Sequence, residues 1–176
     1  MVEMIVAVGL FSVVMTVAVG SLLSIVDANR KAQAQEVVIN NLNFALENMA
    51  RNIRVGTAYH CGASSPITTP IDCNGGSSYF AFEGRGGNGN SASDQIIYRL
   101  QTNQIEKSID GGATFIGITA PEITIEGLNF YVEGALSGDG KQPKLLITLH
   151  GSSGVSSRAK VTFNLETLIS QRVLDL

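Results

Sequence analysis

The stretch MVEMIVAVGLFSVVMTVAVGSLLSIVDANRKAQ, residues 1–33, decides how the rest of the chain is read. No charged residue occurs from Met4 to Val26, yet Glu3 stands at the edge of that run and Asp27 closes it. As a helix the run reaches roughly 35 Å, enough to cross a hydrocarbon core of about 30 Å. It is apolar all round, which a soluble amphipathic helix is not. A secretory signal peptide carries a basic lead and a shorter apolar core that ends at a cleavage site. Here no Lys or Arg precedes the run, and the helical pattern continues beyond it. A permanent transmembrane or filament-core helix is the better reading.

Inside the run, Ser12, Thr16, Gly20 and Ser24 recur every four residues and therefore share one helical stripe. Small residues at that interval let a second helix approach closely in lipid. The alternative is that small residues are simply common in membrane helices. Gly9 and Gly20 each lower helix stability by about 1 kcal/mol relative to Ala, which marks Gly20-Ser21 as a point of local loosening.

After Val26 the composition changes but the period does not. Val38, Leu42, Ala45, Met49 and Ile53 follow steps of four, three, four and four, the pattern of one apolar face on a helix. Asp27, Arg30, Lys31, Glu36, Glu47, Arg51 and Arg54 mark the wet sides. Arg51 and Arg54 suit the negative end of the helix dipole, and Gly56 can end the helix. One helix is therefore expected from about Val2 to Val55, roughly 80 Å long.

Working outward, the remainder is β-rich. AYHCGASSPITTPIDCNGG is turn chemistry, and SYFAFE (Ser78–Glu83) is a short strand. GRGGNGNSASD (Gly84–Asp94) is a flexible loop. QIIYRLQTNQIEKSI has the pattern of a hairpin turning near Thr102-Asn103. DGG at Asp110–Gly112 turns into ATFIGIT, and three further strand-like runs follow: EITIEGLNFYVEG, PKLLITLHG and RAKVTFNLETLIS. The fold class expected is α+β, a long N-terminal helix packed on a mostly antiparallel sheet. Residues 1–26 form the transmembrane or filament-core half, 27–55 the amphipathic half, and 56–176 the β-rich globular domain. The sheet face that receives the helix is expected to use Ile97, Leu128, Phe130, Leu146, Ile147, Val161 and Phe163. Cys61 and Cys73, close together and downstream of a membrane segment, read as one disulfide in an oxidising compartment.

The stretch VEMIVAVGLFSVVM, Val2–Met15, resembles the start of the mature helix in the type IV pilin superfamily, which includes the type II secretion pseudopilins. There a glutamate precedes a long apolar run, and Glu3 matches it. APEITIEGLNFYVEG (120–134), QPKLLITLHG (142–151) and FNLETLISQR (163–172) resemble the J-type pseudopilins and related minor pilins. The resemblance implies a non-enzymatic minor pilin or pseudopilin, a structural subunit at the tip or initiation complex of a type II secretion pseudopilus or type IV pilus. It implies other pilin-like subunits and an inner-membrane assembly platform as partners. The implied location is the inner membrane, single-pass with the globular domain extracytoplasmic, and then the filament. Family precursors carry a basic leader ending in Gly, followed by Phe. Neither stands before Glu3, so the chain in hand is expected to begin inside a processed N-terminus, and no cleavage or methylation residue is assigned. A carboxylate beside an apolar core is costly unless paired. The resemblance implies that a neighbouring subunit's amino terminus compensates Glu3. Alternatively, Glu3 stays wet at the interface and favours the helix N-terminus.

Little points to catalysis. His60 and His150 have no metal-ligand spacing to Cys61 or Cys73, and His60 beside Cys61 reads as a turn residue. GRGGNG is not a phosphate loop, because no strand-to-helix context surrounds it. Asp110 and Asp139 sit in Gly turns and read as turn residues rather than calcium ligands. Arg85, Lys141, Lys144, Arg158 and Lys160 read as scattered solvated charges, and with a net charge of -3 nucleic acid is not an expected partner. No cofactor is expected. The competing reading is a signal-anchored extracytoplasmic binding domain or enzyme that acts outside any filament.

Overall fold

The computed structural model describes residues 2–153 and 160–173. The helix α1 runs unbroken over Val2–Val55. No loosening occurs at Gly20-Ser21, where the Ser21 hydroxyl donates to the Ala18 carbonyl at 3.4 Å and so stays within the helix. The amphipathic stripe falls as its period requires: Val38, Leu42, Ala45, Met49 and Ile53 are all buried, together with Leu46.

The helix ends where the chain meets the sheet. Gly56 N donates to the Ile53 carbonyl at 3.0 Å, and Tyr59 Oη donates to the same oxygen at 2.7 Å. Arg172 N donates to the Arg54 carbonyl at 2.7 Å. These bonds satisfy end carbonyls that an isolated helix leaves open. Gly56 is required for space rather than for a left-handed turn. A side chain there would strike the Phe82 ring and the Glu83 carbonyl.

Two antiparallel sheets follow, where the sequence pattern indicated one. The first orders its strands β1-β3-β4-β5-β6: β1 (Thr57–Cys61), β3 (Tyr79–Glu83), β4 (Gln95–Gln101), β5 (Gln104–Ser108) and β6 (Ile116–Gly117). The second orders β2-β7-β8-β9: β2 (Cys73–Ser77), β7 (Ile123–Glu133), β8 (Lys144–Ser153) and β9 (Val161–Ser170). The β4–β5 hairpin turns at Thr102 and Asn103, whose φ of 49° and 60° are those of the tight two-residue turn that suits strand twist. Strands β1 and β2 arise from the segment read as turns. Polar and glycine-rich, CNGGS has no apolar alternation; it is held as a strand by β7, through Cys73 opposite Val132 and Ser77 opposite Phe130.

The core lies between the sheets and under the helix. Phe80 of β3 stacks on Phe82 at 5.5 Å and on Phe130 of β7 at 5.4 Å, so one aromatic column joins the two sheets. Tyr59 meets Phe80 edge-on at 5.4 Å. Each such ring stabilises the fold by about 1.5–3 kcal/mol through burial alone. Strands β8 and β9 run nearest the helix backbone. Of the expected face, Ile97, Leu128, Phe130 and Ile147 are buried, while Val161 and Phe163 are half-buried. Leu146 is also only half-buried. Neighbours in a strand point to opposite faces, and it is Leu145, Ile147 and Leu149 that turn inward.

Candidate functional site

Two surfaces stand out: the apolar half of α1, and the junction that fixes its other half to the sheets. Val2, Met4, Ile5, Leu10, Phe11 and Leu22 each keep more than half of their surface exposed. The most apolar 18-residue window of α1 has a mean hydropathy of 2.4, and none of it is buried. By length and composition this helix can cross a membrane. Glu3 lies in its first turn, where a carboxylate meets the positive end of the helix dipole.

The stripe residues Ser12, Thr16, Gly20 and Ser24 are exposed along this half. Ser12 Oγ donates to the Val8 carbonyl and Thr16 Oγ1 to the Ser12 carbonyl, each at 2.8 Å. Those hydroxyls are thereby satisfied within the helix and ask nothing of lipid. A Cβ added at Gly9 or Gly20 would meet nothing within 4 Å, so the helix surface is open at both positions.

Just past the helix end, Cys61 and Cys73 are disulfide-bonded with Cα atoms 5.8 Å apart. The bond joins β1 of the first sheet to β2 of the second, beside the Phe130 carbonyl. Between the cysteines, Cys61 N donates to Ile71 O at 3.2 Å and Ile71 N to Tyr59 O at 3.0 Å. His60 is fully buried. Its Nδ1 lies 2.6 Å from the Thr69 carbonyl and its Nε2 3.3 Å from Ser64 Oγ, so it holds the loop as a structural residue. Asp72 accepts from the backbone N–H groups of Gly134 and Ala135 at 3.2 and 2.7 Å, which fastens the same loop to the end of β7.

Asp110 is a turn residue. Thr114 Oγ1 donates to its Oδ2 at 2.5 Å, while Thr114 N and Ser108 Oγ donate to its Oδ1 at 2.9 and 2.7 Å. The Thr114 hydroxyl and amide, then the Ser108 hydroxyl, hold its carboxyl down at about 2. Asp139 accepts from Lys141 N at 2.7 Å in its own turn. Lys141 pairs with Glu133 at 3.0 Å and Lys160 with Glu126 at 3.6 Å, while Arg85 and Lys144 are exposed. Arg158 lies outside the described residues. Among the described residues no group of three or more His, Cys, Asp or Glu is placed to hold a metal ion.

One surface had no sequence signal. Phe44, Ala45 and Asn48 of α1 face Lys107, Ile109, Ile116 and Ile118 across an apolar groove of about 390 Å³. Phe44 breaks the helix's polar side, and Ile109 and Ile116 lie far from it in the chain, so no periodic pattern joins them. Comparison of the chain with protein-family models, with curated proteins and with solved structures returned no match.

Proposed function

We propose that this chain is a non-enzymatic, pilin-like structural subunit. Its apolar helix half is stored in a membrane and then enters the core of a filament, of the kind built by type IV pilus and type II secretion machines. The reading rests on one observation: a single continuous helix has a first half with no burial and a second half locked into a sheet domain. A plain anchor does not require such helical continuity across the membrane boundary. A filament subunit does, because the sheet domain's position is then set by how the helices pack. The sequence resemblance of Val2–Met15 and of the last three strands to minor pilins and pseudopilins supports the same reading. The sheet domain would stand outside the membrane, an orientation that agrees with its disulfide. The groove beside Phe44 offers an apolar surface for neighbouring subunits, and the resemblance to minor pilins is what points to the filament tip.

In this reading Glu3 is the assembly residue. Its carboxylate disfavours the lone helix in lipid and favours the filament, where a neighbouring amino terminus compensates it. The test is Glu3→Ala in the native cell, scoring surface filaments or protein secretion together with membrane insertion of the subunit. Lost assembly with insertion intact is expected. Normal assembly by the variant would instead make the helix a simple anchor for a domain that acts alone.

A further inference from the structure

The chain contains two asparagines followed by glycine: Asn74-Gly75 within β2, and Asn88-Gly89 in the connection between β3 and β4. Asparagine is thermolabile, because the next backbone nitrogen can attack its Cγ, and a following glycine puts no Cβ in the way. The sequence does not distinguish the two pairs, whereas the structure does. Asn88 lies in a tight turn, where Ser91 N donates to the Asn88 carbonyl at 2.7 Å. The Asn88 N–H donates to Asp94 Oδ2 at 2.8 Å. Asn90 N donates to Asn88 Oδ1 at 3.2 Å. This last bond is the local turn that asparagine side chains favour, and it closes a ring that contains both Asn88 Cγ and Gly89 N. The side chain is thus curled toward the nitrogen that would attack it. Gly89 N enters no hydrogen bond among the described residues, and residues 85–90 are exposed. A Cβ on Gly89 would meet nothing within 4 Å, so the space around this peptide is open.

Asn74 is placed differently. It belongs to the strand Cys73–Ser77, which is paired to β7. Side chains of a strand stand away from the sheet, and the backbone must leave the extended form before Gly75 N can meet the Asn74 Cγ.

We propose that Asn88 is a self-modification site, which converts to aspartate and isoaspartate without an enzyme, while its strand protects Asn74. Hydroxide removes the Gly89 amide proton, and the nitrogen attacks Asn88 Cγ. The carbonyl electron pair moves onto Oδ1, where the Asn90 N–H already points and holds the developing charge. The intermediate takes a proton from water and expels Nδ2 as ammonia, which leaves a succinimide ring. Water opens that ring at either carbonyl. The balance is an amide and a water consumed, and a carboxylate and an ammonium ion formed. The new carboxylate falls beside acceptors that lack donors. Glu83 Oε1, Asp94 Oδ1 and Gln95 Oε1 are buried without a hydrogen-bond partner. Glu83 Oε1 lies against the spot where a side chain on Gly87 would begin, and Asp94 Oδ2 is 3.3 Å from that spot. Burial, then the charge of Asp94, already pushes the Glu83 carboxyl above its ordinary value. Modification therefore loosens the connection between β3 and β4. The inference rests on the geometry of this turn and not on filament assembly.

The test incubates the full chain in detergent micelles at mildly basic pH and then digests it with trypsin. Cleavage after Arg54, Arg85 and Arg99 puts the two asparagines on separate peptides, 55–85 and 86–99. Mass spectrometry follows the gain of about one dalton per event and the appearance of an isoaspartate form of each peptide. The same two peptides, cut free before incubation, give the rates without the fold. In the folded chain Asn88 should convert about tenfold faster than Asn74, whereas in the free peptides the two rates should agree within about threefold. Gly89→Ala should slow conversion of Asn88 about tenfold and leave Tm unchanged, since its Cβ enters open space. Equal rates at Asn74 and Asn88 in the folded chain would overturn the site. So would folding that slows Asn88 as much as it slows Asn74. Asn88→Asp supplies the charge on an ordinary backbone and should lower Tm; an unchanged Tm would overturn the loosening.

Discussion

Single residues in this chain act mostly by what they make room for or hold in place. Gly56 ends the helix because the Phe82 ring occupies the space a side chain would need. Ala58, with φ of 53°, sits in the left-handed region at the register shift of β1, and the bulge there turns the chain from helix to sheet. Asp110 gathers three donors from Ser108 and Thr114 and so fixes the turn into β6. Its folded carboxyl titrates at about 2, below the ordinary 3.8. A depressed value means that the stabilisation is complete above the unfolded value and is lost as pH falls through the folded one. Asp110→Asn should therefore lower Tm at pH 6, and the gap to the parent chain should close as the pH falls from about 4 towards about 2. Thermal unfolding of both chains across that range checks it. A gap that does not change with pH would mean that the carboxylate's charge has no part in the turn.

At the scale of elements, the telling feature is that the two sheets are stapled by their first strands. β2 has little apolar surface of its own, with Gly75 and Gly76 at its centre and its register to β7 broken there. Tyr131 packs where a side chain on Gly76 would begin. The disulfide closes a loop of sequence separation 12 and fastens β2 to β1. In the chain-entropy account that closure is worth about 3 kcal/mol. The double change Cys61→Ser and Cys73→Ser should cost roughly that amount in denaturant unfolding. Native protein from its own cell should resist thiol labelling at both positions. Free labelling of both would show that the bond does not form there.

The whole molecule is one continuous helix with a sheet domain packed on its second half. The packed half is dry, with Leu42, Met49 and Ile53 fully buried, while the other half is bare. In the proposed reading, such a half would associate in lipid through close packing of small residues. Gly20→Leu lies on the stripe with Ser12, Thr16 and Ser24, whereas Ala18→Leu lies on the opposite side of the helix. Energy transfer between labelled chains in lipid vesicles should fall for Gly20→Leu by about 1 kcal/mol of association and stay level for Ala18→Leu. Equal effects would remove the stripe from the contact.

The helix, its apolar half, its buried stripe and most strands were legible in the sequence. These features depend on local period: 3.6 residues per turn for Val38 to Ile53, and 2 along β7 and β8. The tight β4–β5 turn was legible for the same reason, since two residues decide it. The division into two sheets was not, because strands are sorted by partners far away in the chain. β2 is a strand only because β7 lies beside it, and Leu146 faces outward because the register of β8 is set by its neighbours. The orphaned oxygens of Glu83, Asp94 and Gln95 were likewise invisible, since burial alone makes an ordinary polar residue a demanding one. The sequence by itself determined what kind of elements form and which half of the helix is fit for lipid. Only the tertiary structure decided which surfaces meet, because pairing and burial are settled between segments, not within them.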